Sequence, residues 1–153
     1  MAPGDCAVSV AHGNVVMSLV VAENIELRTN DNTKVVRLSQ VEKFKDGSGY
    51  RSNLTVVSSG FSCQRQFFFD DVALGDAVPT LRDMAANLEG ECIIKGQWED
   101  DFLQLSVNRM GHVQVSGEIF EHSEFGQRLK FAFRTDQTVL LPLAKGLQML
   151  LDA

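Results

Sequence analysis

The chain has 153 residues, 44% of them hydrophobic and 22% charged. That is enough for one domain, residues 1–153, with its own core, and it excludes a mainly disordered chain. A formal net charge of −6 argues against a nucleic-acid binder, which needs a basic face to neutralise phosphates, and against an anionic membrane surface. Cys6, Cys63 and Cys92 are odd in number and have no metal-ligand spacing, so neither a disulfide framework nor a zinc site is expected. Cys63 and Cys92 read as buried fillers in a reducing setting. The first sixteen residues carry Asp5 and His12 without a basic-then-apolar leader, so the expected location is the cytoplasm. The apolar run 15–22 is too short to span a bilayer.

Residues 15–27 are apolar and β-branched and read as a strand, broken near Ala22-Glu23-Asn24. Asn30-Asp31-Asn32 is a turn, and residues 33–44 alternate in part. A second turn, Lys45-Asp46-Gly47-Ser48-Gly49, leads to residues 54–69, one bent strand or a hairpin with its bend at Ser59-Gly60. Phe67, Phe68 and Phe69 close that stretch, and Phe68 must point opposite to its neighbours.

The period then changes. Val78, Leu81, Met84, Ala85 and Leu88 recur at helical spacing and predict a central helix over about 76–89. Asp70 and Asp71 are suitable caps, Pro79 asks for the first turn or a kink, and Gly90 suits the C-terminal end. Strands return over 91–97, 102–108, 112–120 and 128–134, each alternating apolar and polar residues. Thr135 or Asp136 caps a final helix over about 137–151, whose stripe is Leu140, Leu143, Ala144, Leu147, Leu150 and Leu151. The fold class is therefore α+β, mostly antiparallel sheet with one central and one C-terminal helix.

From residue 69 onward the order of elements is similar to a known family. The apolar helix is followed by Trp98 and an acidic turn, then Phe102-Leu103-Gln104-Leu105 and Gly111-His112-Val113-Gln114-Val115. Leu129-Lys130-Phe131-Ala132-Phe133-Arg134-Thr135-Asp136-Gln137-Thr138-Val139-Leu140 leads into the last helix. This resembles the WapI-type immunity proteins of bacterial polymorphic-toxin systems, and a related bacterial family of unknown function. The resemblance implies a cytoplasmic antidote that binds and blocks a cognate toxin, often a nuclease. It carries over no catalytic residues.

The residues themselves point away from catalysis. His12, His112 and His122 lie at no metal-ligand spacing from one another, and no nucleophile elbow, phosphate loop or dinucleotide fingerprint is present. No cofactor or metal is expected, and no enzyme activity.

Charge is the better signal. Between residues 70 and 101 stand nine carboxylates, opposed only by Arg82 and Lys95, so that segment is net −7 while the flanks are near neutral. Asp83 and the turn Glu99, Asp100 and Asp101 are the candidate partner-binding residues, because a hairpin tip projects. Their expected partner is a basic protein surface such as the cleft of a nuclease toxin. Trp98 stands beside this turn, and core or half-buried packing is expected for it. A rival reading is a β-rich domain that binds a small ligand, which an enclosed apolar cavity would favour. Homodimerisation through an exposed edge strand is a further expectation.

Overall fold

The computed structural model describes residues 18–98 and 100–153. Residues 15–17 of the first expected strand, together with Cys6, His12 and Glu99, lie outside them. Strands β1 (Ser18–Leu27), β2 (Lys34–Phe44), β3 (Tyr50–Ser58) and β4 (Phe61–Phe69) form one antiparallel sheet in that order. Helix α1 (Asp71–Asn87) follows. Strands β5 (Glu91–Lys95), β6 (Phe102–Val107), β7 (His112–Glu121) and β8 (Gln127–Asp136) form a second antiparallel sheet, again in chain order. A 3-10 turn, Gln137–Val139, leads into helix α2 (Leu140–Leu151). This is the α+β class read from the sequence.

Alternation sets which face of each strand is buried. In β3, Tyr50, Ser52, Leu54, Val56 and Ser58 point inward, while Asn53 is exposed and Arg51, Thr55 and Val57 half-exposed. Residues 54–69 are a hairpin rather than one bent strand. Ser59 and Gly60 both take positive φ, 49° and 94°, the paired geometry that matches strand twist in a two-residue turn. The break expected near residues 22–24 is a β-bulge between Val20 and Ala22. A second bulge lies between Ser39 and Glu42, where Gln40 has φ 47°.

The central helix starts earlier than its apolar spacing suggests, at Asp71 rather than near residue 76. Asp70 is the cap, its carboxylate accepting the Ala73 N–H at 2.9 Å. Pro79 therefore lies inside the helix. It is tolerated because Pro79 and Gly75, the residue whose carbonyl loses its donor, are both exposed to water. The helix ends at Asn87, and its left-handed cap is Leu88 (φ 53°), not Gly90. The Leu88 N–H donates to the Met84 carbonyl at 2.9 Å. At the other helix, Asp136 caps as expected, accepting the Thr138 N–H at 2.9 Å. The 3-10 turn delays the α-helix itself to Leu140.

The two halves interlock. Helix α1 packs against α2 and also against β5 of the second sheet, while α2 reaches back to β1 of the first. One apolar cluster includes both sheets and both helices, from Ile25 to Leu150. Tyr50 ties its own strand, β3, to three other elements within it. Its ring stacks on Phe69 at 5.2 Å, and its hydroxyl reaches the Asp71 carboxylate and the Leu150 carbonyl. Burial, and then the Asp71 carboxylate, push the Tyr50 phenol well above its ordinary pKa. Among the described residues no helix is long and apolar enough to cross a membrane.

Candidate partner-binding surface

The segment after β5 is built as a clamp. The Gly96 N–H donates to the Asp101 carbonyl at 2.7 Å, closing the turn on itself. The Gln97 N–H donates to the Phe68 carbonyl at 2.8 Å, and the Gln97 Nε2 amide to the Ser48 carbonyl at 2.6 Å. These bonds fasten the turn to the margin of the first sheet, at β4 and the β2–β3 loop.

Trp98 rides on this clamp and is 61% exposed, which corrects the expectation of a core or half-buried ring. Its ring lies on Phe68, centroids 5.2 Å apart and planes at 45°. The alternation of β4 explains the pair. Phe67 and Phe69 are buried, so Phe68 faces outward and offers the indole an apolar floor. On the same outer row Arg51 stands opposite Phe68, and Glu42 opposite Arg51. Arg51 is ion-paired with Glu42, and its guanidinium lies 6.0 Å from the Phe44 ring centre. Trp98, Phe68, Arg51 and Phe44 thus gather aromatic and guanidinium side chains on one end of the first sheet. Aromatic residues and arginine are the types that dominate binding energy at protein interfaces.

The acidic residues divide. Asp100 is exposed, and Asp83 is exposed on the solvent side of α1. Asp101 is not part of a projecting tip: it is only 3% exposed, and its carboxylate accepts the Phe120 N–H of β7 at 2.9 Å. A buried carboxylate needs such a donor, so Asp101 turns inward to join the turn to the second sheet. Asp83 and the turn share no element. They are related only through α1, which packs against β5, the strand that leads into the turn.

A cleft of about 340 Å³ opens between the sheets, lined among others by Cys63, Arg65, Ile119, Glu121, Arg128 and Leu129. Cys63 is half-buried there, and burial followed by the Asp101 carboxylate raises its thiol pKa, while Arg65 lowers it. Cys92 is buried in the core. His112 opens β7, and His122 stacks on Phe120 at 5.8 Å. Among the described residues no three His, Cys, Asp or Glu side chains are grouped to hold a metal ion. No family model, curated protein or solved structure matches the chain.

Proposed function

We propose that this protein acts by binding, as an immunity-type inhibitor that occludes a basic protein toxin in the cytoplasm. The observation that carries the reading is Trp98, the single tryptophan, 61% exposed yet held in place on Phe68. Leaving an indole in water forgoes the burial of a large apolar surface, and a fixed aromatic anchor loses little conformational freedom when a partner covers it. The acidic segment supplies the second element. Asp83 and Asp100 project, and with Glu99 they favour a partner whose contact surface is basic, such as a nuclease cleft.

The two kinds of residue have separable effects. Trp98→Ala removes the anchor and should raise the dissociation rate, costing about 2 kcal/mol or more of affinity. Asp83→Lys with Asp100→Lys should slow association, and the effect should fade as salt is added. The test is surface-plasmon kinetics against the polypeptide encoded beside this gene, with that polypeptide's toxicity or nuclease activity followed in parallel. Inhibition that survives both variants at unchanged rates rejects the surface.

A further inference from the structure

The first sheet ends at β1, which has no strand on its outer side among the described residues. Helix α2 runs under that margin, with Gly146 against Ile25. The inward residues Leu143, Ala144 and Leu147 are buried, but Leu141 and Met149 are 56% and 58% exposed. Leu141, Lys145 and Met149 follow one another at four-residue spacing, so they form one stripe. With Asn24, Ile25 and Glu26 of β1, and Arg28 just beyond its end, they border a groove of about 510 Å³.

We propose that this groove receives an extended peptide segment of a partner, added to β1 as a fifth strand. The segment carries apolar side chains over Leu141 and Met149 and a carboxylate toward Lys145 and Arg28. Three observations support it. An open sheet edge offers main-chain donors and acceptors to any extended chain, and alternate side chains then supply selectivity. The spacing fits: alternate residues of a strand advance about 6.7 Å, and helix positions four apart advance about 6 Å. Successive inward residues of an added strand thus meet Leu141, Lys145 and Met149 in turn. The charge also fits. Neither Lys145 nor Arg28 meets a carboxylate among the described residues, while Glu26 is paired with Arg37 at 3.6 Å.

The site is separate from the Trp98 surface, and the proposal does not depend on the inhibitor reading. Its test is selection of a random-sequence peptide display library on the intact protein, followed by anisotropy titration of the enriched peptide. The expected consensus alternates, with apolar side chains flanking an acidic one at every second position. Leu141→Lys with Met149→Lys should weaken binding by about tenfold or more. Lys145→Glu should switch the central preference from acidic to basic. Methylating alternate peptide amides should abolish binding. All three substituted side chains are exposed, so far-UV circular dichroism should match the parent protein. No consensus, or binding indifferent to the Leu141 and Met149 changes, overturns the proposal. So does a concentration-dependent dimer abolished by those changes, which gives the groove to a second copy.

Discussion

Asp101 holds the acidic turn against the second sheet, and its environment fixes what a mutation there does. Its carboxylate accepts the Phe120 N–H, and the residue is nearly inaccessible. Asp101→Ala leaves that amide without its partner and should cost about 1–3 kcal/mol in a urea unfolding experiment. The same change tells little about a partner, so charge reversal belongs at Asp83 and Asp100. The run Glu99-Asp100-Asp101 gave no hint of this division in the sequence, because which carboxylate turns inward is decided by a backbone amide on β7, nineteen residues on. Trp98 lies outside the core for a related reason. Tryptophan's apolar area favours burial in general, and only the clamp on Phe68 and Ser48 carries it to the surface. Cys92 behaves as its apolar neighbours suggest. Burial raises its thiol from an ordinary 9.0 to about 11. The unfolded chain therefore loses the proton first, and stability is lost as pH rises through the window from 9.0 to about 11. Chemical unfolding across that range should show the decline, and Cys92→Ala should make it shallower.

At the scale of elements, the strands were legible and the ends of the helices were not. Where a strand buries one face its alternation persists, so that of residues 112–120 survives directly into the burial pattern of β7. The start of α1 was hidden by Pro79, whose usual place is the first turn. The structure instead places Pro79 on the wet side of an established helix, and the true signal is Asp70. Asp70→Ala should therefore destabilise the protein by about 1 kcal/mol, whereas an alanine at Asp76, which the shorter helix would make its cap, should be nearly neutral. Thermal melts of the two variants separate these outcomes. The C-terminal helix is legible because its expected stripe is buried at every position but the half-buried Leu151, and Asp136 caps the turn before it.

At the scale of the molecule, the partition of eight strands into two sheets is not legible from residue patterns, since pairing depends on contacts between distant residues. Nor could it indicate the exchange of helices, with α2 over β1 and α1 against β5. That exchange makes the halves mutually dependent. Trp98 reports on the seam, because its turn belongs to the second half and its floor, Phe68, to the first. Tryptophan fluorescence and far-UV circular dichroism should therefore follow one coincident transition in denaturant. Separated midpoints would mean that the halves unfold independently.

Because α2 is what seats beneath β1, the first sheet can pair early in synthesis but cannot be covered until the chain is nearly finished. Ile25 and Leu27 leave the ribosome early, and the residues that shield them, Leu143 to Leu150, emerge more than a hundred positions later. Throughout that interval the nascent polypeptide presents an uncovered apolar flank. Chaperone demand should accordingly peak before the last helix is synthesised, and ribosomes stalled short of residue 140 should carry an aggregation-prone product.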